Sequence, residues 1–205
     1  MLSSELIQLS SEAVDPSWKI GGYIDVETTG LDPAREEVIE LALLLFAYDP
    51  VTGRICGILD EYVGLREPAV PISADAAAVH GLTDEIVRGK RLDLERVRGM
   101  TARAELLVAH NAQFDRSFVE RLIPEVSSKT WLCSMSGIGW RRKGYVSRRL
   151  QDLLKVHGIA VERAHRAEDD VRAAVRLLTC GGHEGVSYFQ EMLLGTLRRH
   201  RSTAR

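Results

Sequence analysis

Gly22-Tyr23-Ile24-Asp25-Val26-Glu27-Thr28-Thr29-Gly30 carries two acids, one residue apart, inside a stretch that otherwise reads as a buried strand. In an extended chain, residues two apart share a face and lie roughly 6.5 Å apart along it. Like charges side by side on a half-buried strand are costly unless a cation neutralises them. A solvated edge strand could carry them, but Ile20, Ile24, Val26 and the tight Gly21-Gly22 pair argue for the interior. The plain alternative is two surface acids near a turn. The spacing favours a site for a divalent metal.

Outward from this strand, taken as Lys19 to Glu27, the chain reads as strands first and then helices alternating with strands. Val38 to Tyr48 is a long apolar run and Arg54 to Val63 a third strand. The turn Asp49-Pro-Val-Thr-Gly53 makes those two an antiparallel hairpin. Ser73 reads as the N-cap of a helix over Ala74 to Val79 that Gly81 ends, and Thr83 as the cap of a short helix through Val87. Leu92 to Ala104 is helical. Leu106 to Ala109 is short and wholly apolar, as a buried parallel strand should be. Asn111 caps a helix that Pro124 stops after Ile123, and Thr130 to Ser134 is a fifth strand. Arg149 to His157, Glu168 to Cys180 and Val186 to Arg199 have helical periodicity.

At 205 residues this is one mixed α/β domain with a full core. Residues 19–182 form it, 1–18 are an extension with a helical stripe through Leu2, Leu6, Ile7 and Leu9, and 183–205 are a last helix and basic tail. Apolar residues of that helix offer a surface for a homodimer. Three widely spaced cysteines, Cys56, Cys133 and Cys180, fit neither a disulfide framework nor a zinc site, so reduced thiols in the cytoplasm are expected. No apolar run approaches a membrane span and the start has no signal-peptide pattern.

The net charge of −2 hides a segregation. Nine acids against two arginines lie between Asp25 and Glu61, and five bases with no acid between Arg141 and Arg149. That suits a protein that binds metal in one place and a polyanion beside it.

Two further stretches gain meaning beside Asp25 and Glu27. His110-Asn111-Ala112-Gln113-Phe114-Asp115 runs from the fourth strand into a helix and puts Asp115 about one turn in. His165-Arg166-Ala167-Glu168-Asp169-Asp170 enters the penultimate helix, with His165 in the loop and Asp170 in the first turns. Open α/β sheets place ligands at that strand end. Alone, each acid is a capping residue and the histidine a loop histidine. Together, four carboxylates and an imidazole suit hard cations, Mg2+ or Mn2+, with no cysteine ligand. Two such ions can clamp the attacking and leaving oxygens of a phosphoryl displacement. A histidine can take the proton from the attacking water near neutral pH.

Asp-Val-Glu-Thr-Thr-Gly, His-Asn-Ala-x-Phe-Asp and His-Arg-Ala-x-x-Asp, in that order, resemble the three motifs of the DEDDh, or DnaQ-like, 3′–5′ exonucleases, the group of the proofreading subunit of bacterial DNA polymerase III and of RNase T. Ala-Val-His80-Gly81-Leu82-Thr83 matches a turn common in that family. The resemblance spans about Lys19 to Leu178. It implies a ribonuclease-H-like fold, a five-stranded mixed sheet flanked by helices whose second strand is antiparallel. It also implies roles: Asp25, Glu27 and Asp170 hold one metal, Asp25 also touches a second, Asp115 acts directly or through water, and His165 is the base. Thr28 and Leu31 fall where the family contacts the terminal nucleotide, and His110 and Asn111 support the site. Glu168 stands where the family usually has an apolar residue, so Asp170 is chosen by its five-residue spacing from His165.

The expected partner is single-stranded nucleic acid with a free 3′ end. Trp140-Arg141-Arg142-Lys143-Gly144-Tyr145-Val146-Ser147-Arg148-Arg149 mixes bases and aromatics as a strand-binding surface does, with its arginines and lysine, Arg141 and Arg142 first, on phosphates and Trp140 or Tyr145 stacked on a base. The alternative is a solvated loop with Trp140 in the core. No docking linker follows Cys180, so a free-standing exonuclease is expected over a polymerase-bound one. An idle nucleic-acid-binding or polymerase-docking module of the same fold is the competing function, but such a module should have lost an acid.

Overall fold

The computed structural model describes residues 6–10, 14–161, 166–181 and 185–203, with the side chains of 168 and 197–203 left out. Five strands, β1 (Lys19–Thr28), β2 (Val38–Tyr48), β3 (Ile55–Leu65), β4 (Leu106–Ala109) and β5 (Thr130–Cys133), form one sheet in the order β3-β2-β1-β4-β5. β2 runs antiparallel to both neighbours, while β1, β4 and β5 are mutually parallel. This is the mixed α/β sheet expected, with the second strand reversed.

Every residue of β2 is buried. The cause is cover on both faces. Ala42, Leu44 and Phe46 pack with α7 (Ala167–Thr179) and α8 (Tyr188–Thr203) on one side. Leu41, Leu43 and Leu45 pack with α3 (Leu94–Arg103) and α4 (Ala112–Leu122) on the other. Gly21 and Gly22 of β1 are needed where these layers press closest. A Cβ on Gly21 would sit 2.5 Å from the Phe46 ring, and one on Gly22 would sit 2.8 Å from Leu107 Cδ2.

Between β3 and α3 run α1 (Ala74–His80) and α2 (Asp84–Val87), and after β5 come α5 (Ser134–Gly137) and α6 (Leu150–Val156). Ser73 caps α1 through Ala76 N–H at 3.2 Å, and Gly81 ends it at φ 72°. Thr83 and Asn111 stand at their cap positions without a side-chain cap bond. Asp93, not foreseen as a cap, accepts from Arg96 N–H at 2.9 Å and starts α3 two residues after Leu92.

The described part of the amino-terminal stretch packs on the domain as an extension, without the helical stripe, of which Leu2 lies outside the described residues. Leu9 N–H donates to Ile58 at 2.7 Å and Ile58 N–H to Ile7 at 2.9 Å, so residues 6–10 run extended beside β3. α8 spends its apolar face on the chain's own core, with Tyr188, Phe189 and Met192 buried. No helix of the described residues is long and apolar enough to cross a membrane. The three cysteines are free thiols.

Candidate active site

β1 delivers the first two acids. Its pairing with β4 covers only Gly21 to Tyr23, so the β1 end beyond Tyr23 projects past β4. Asp25 and Glu27 follow Tyr23 at two-residue steps and share its face, the face covered by α7. A register irregularity between Glu27 and Thr28 ends the regular ladder there, a common device where a strand must re-aim side chains.

α4 starts directly after β4 and presents Asp115, which is 3% exposed. α7 presents Asp170, 5% exposed, from its first turns. Asp25, Glu27, Asp115 and Asp170 line one cleft of about 570 Å³, together with His110, Asn111, Phe114, Arg149 and Gln151 among others. Three segments distant in sequence thus converge on a single wall.

The electrostatics record that convergence. Burial pushes the Asp25 carboxyl well above the ordinary range, and the charges of Asp115, Glu27, Asp170 and Glu40 push it further. Burial, then Glu40, Asp170 and Asp115, raises Glu27 to about 8, against a pull from Arg166. Burial raises Asp115 to about 7, opposed by backbone hydrogen bonding from Asp115 itself and Val26. The donor set is all oxygen, the chemistry that fits a hard divalent cation. Among the described residues no group of three or more His, Cys, Asp or Glu side chains is gathered so as to hold a metal ion as it stands. The four acids share a cleft, and Asp170 turns Oδ1 to Gln151 Nε2 at 2.6 Å.

Glu40 lies opposite Glu27 across the β1–β2 ladder and is fully buried. Its carboxylate accepts from Arg166 Nη2 at 2.7 Å, from Arg166 Nε at 3.2 Å, and from the Ala167 N–H at 3.0 Å. Arg166 therefore offsets the charge that Glu40 brings beside Glu27, and Glu40 in turn pins the start of α7. His165, the residue before Arg166, lies outside the described residues.

A second cavity of about 630 Å³ adjoins the first through shared walls at Glu27, Val79 and Phe114, and is lined by Thr28, Gly30, Leu31 and His80 among others. Leu31 is 83% exposed at its edge. His80 Nδ1 accepts from Leu82 N–H at 3.0 Å, which leaves Nε2–H to donate to the Thr28 carbonyl at 3.3 Å. Thr28 Oγ1 donates to the Gly30 carbonyl at 2.6 Å. A Cβ on Gly30 would meet Glu36 Cδ at 2.8 Å, so a larger residue there would have to displace the Glu36 side chain.

His110 is buried, and burial lowers its pKa. Its Nε2–H donates to the Arg148 carbonyl at 2.7 Å and Nδ1 takes the Ser134 hydroxyl at 2.9 Å. Arg141 and Arg142 are exposed and line neither cavity. The aromatics beside them face inward. Trp140 is 1% exposed, with Nε1–H on the Ser134 carbonyl at 2.8 Å. The Tyr145 hydroxyl lies 2.9 Å from the Tyr188 hydroxyl and 3.0 Å from His157 Nε2. Trp140 is core, as in the alternative reading of that segment, and Tyr145 is partly buried against it. Arg149, the last base of that segment, lines the acidic cleft, as does Gln151, which the sequence reading did not single out.

The RNase T exonuclease family profile matches residues 23–178. DNA polymerase III subunit epsilon of Treponema pallidum is 30% identical over 166 residues, 76% of this chain and 73% of that protein. The PolC-type DNA polymerase III of Thermotoga maritima is 30% identical over 170 residues, but this chain spans only 11% of its length. Exonuclease X, solved with 5′ overhanging duplex DNA, superposes with a TM-score of 0.54 at 25% identity over 89% of this chain and 93% of that one. Escherichia coli exonuclease I, solved with a dT13 oligonucleotide, gives 0.67 at 20% identity over 89% of this chain and 44% of its own, and shares the fold. The chain belongs to the RNase T family of DnaQ-like exonucleases.

Proposed function

We propose that this chain is a divalent-metal-dependent exonuclease that removes nucleoside monophosphates from the free 3′ end of single-stranded DNA or RNA. The observation that carries the reading is the convergence of Asp25, Glu27, Asp115 and Asp170 on one cleft in which at least three of the carboxyls resist ionisation. Buried acids that repel one another are an unstable arrangement for a structural role and a suitable one for holding Mg2+ or Mn2+. When bound, such ions neutralise the charge that develops on the phosphoryl group during displacement.

The residues divide the work. Asp25, Glu27 and Asp170 would hold one cation, and Asp25 and Asp115, directly or through water, would serve a second. His165 takes the proton from the attacking water. The cavity beyond Glu27 receives the terminal nucleotide, with the Thr28 backbone and the Leu31 side chain against it, while Asn111 meets the substrate from the adjoining acidic cleft. His80 fixes that Thr28 backbone.

Incubation of a 5′-labelled oligomer with Mg2+ tests the reading. A ladder of shortened products from the wild type and none from Asp25→Ala is expected. No ladder, or the same ladder from both proteins, contradicts it and favours an idle binding module.

A further inference from the structure

We propose that Arg149 is a phosphate-binding residue of the cleft, aimed by the backbone that His110 holds; the proposal rests on the nuclease reading above. A nucleic-acid strand entering this cleft meets Asp25, Glu27, Asp115, Asp152 and Asp170 on its walls. Among the described residues that line it, Arg149 is the one Lys or Arg. Repulsion between phosphates and these carboxylates must be offset close by, and a guanidinium fork matches a phosphodiester better than a point charge.

Three details show the side chain is available and aimed. The backbone just before it is fixed, because the buried His110 ring donates to the Arg148 carbonyl at 2.7 Å while its other nitrogen is taken by Ser134. The Arg149 N–H itself donates to Ser147 Oγ at 3.1 Å. Arg149 opens α6 without a side-chain cap bond, and it makes no ion pair among the described residues. Lys143, by contrast, is tied to Glu191 at 2.7 Å. Two residues further on, Gln151 donates to Asp170. The strap of residues 148–151 therefore spans from the acid set to the incoming strand.

The test is equilibrium binding of a short 5′-fluorescein single-stranded oligomer, read by anisotropy across a salt series without added divalent metal. Arg149→Ala should bind about ten-fold more weakly at low salt, and its plot of log affinity against log salt should be shallower by about 0.7, one single-strand phosphate. Arg149→Lys should recover part of the affinity. Arg98→Ala, which removes an equal charge facing Glu125 on α3, should change the slope less. Oligomers with one linkage near the 3′ end replaced by a neutral methylphosphonate locate the contact. One position should weaken the wild type and leave Arg149→Ala unaffected. Equal salt slopes for wild type and Arg149→Ala, equal losses in both proteins at every linkage, or no binding by the wild type would overturn the proposal. Arg149 is exposed, so its removal leaves the core intact. Should the wild type bind with this dependence on Arg149 yet yield no product ladder with Mg2+, the nuclease reading falls and the phosphate contact stands.

Discussion

Glu40 on β2 and Arg166 at the start of α7 are joined by a two-nitrogen ion pair, although 126 residues separate them in sequence. Glu40 is fully buried and Arg166 partly so. The same carboxylate takes the Ala167 N–H, so the entry of the helix carrying Asp170 is fastened to the strand beside Glu27.

Arg166→Ala should destabilise the fold more than Glu40→Gln. The first leaves a buried carboxylate facing Glu27, a loss of about 3 kcal/mol, whereas the second removes a charge and keeps an acceptor for Ala167, about 1 kcal/mol. Urea unfolding of the two variants, with midpoints compared at equal slope, decides. The reverse order would show that the pair does not relieve the acids of β1.

The acids predict how stability follows pH. Glu27 has a folded pKa of about 8 against an ordinary 4.5, so between those values the folded chain binds more protons than the unfolded one. Stability without divalent metal should therefore fall as pH rises through that window, and level off above it. A cation on the carboxylates offsets the cost, so the gain in Tm on adding Mn2+ should be larger near pH 8 than near pH 5. Thermal melts with EDTA and with Mn2+ test this. A metal-free Tm that climbs from pH 5 to 8, or a gain independent of pH, contradicts the shared acid cluster.

Gln151 holds one oxygen of Asp170 at 2.6 Å. Gln151→Ala should lower Mn2+ affinity and turnover by roughly ten-fold, the usual scale for a partner that orients a ligand. Melting should barely change. Unaltered affinity with a large drop in Tm would make Gln151 a packing residue only.

His165 and Asp25 should separate in their effects. His165→Ala loses turnover and keeps metal binding, and Asp25→Ala loses both. Wild-type turnover should decline below a pH of about 6.5 as the imidazole protonates. Equal metal affinities for the two variants, from calorimetric titration, would contradict those roles.

What the sequence made legible was what repeats locally. The two-residue spacing of Asp25 and Glu27, the unbroken apolar run of β2 and the Ser73 and Gly81 punctuation of α1 each follow from neighbours along the chain. What escaped was set by partners far away. Glu40 looked like one more acid in an acidic half, although a lone carboxylate between Ile39 and Leu41 in a wholly buried strand has to find a cation. The basic run from Arg141 misled because composition says nothing of direction. Trp140 lies in the core with Tyr145 partly buried against it, which leaves Arg149 rather than Arg141 or Arg142 at the cleft. Thr83 and Asn111 are favourable cap residues whose side chains are not used to cap.

The claim on which the rest depends is that acids from β1, α4 and α7 act together on a divalent cation. Calorimetric titration of Mn2+ into the wild type and into Asp170→Asn tests it most directly. The account predicts Mn2+ binding by the wild type that weakens at least ten-fold in the variant. Failure of the wild type to bind, or the same affinity in both, would contradict it.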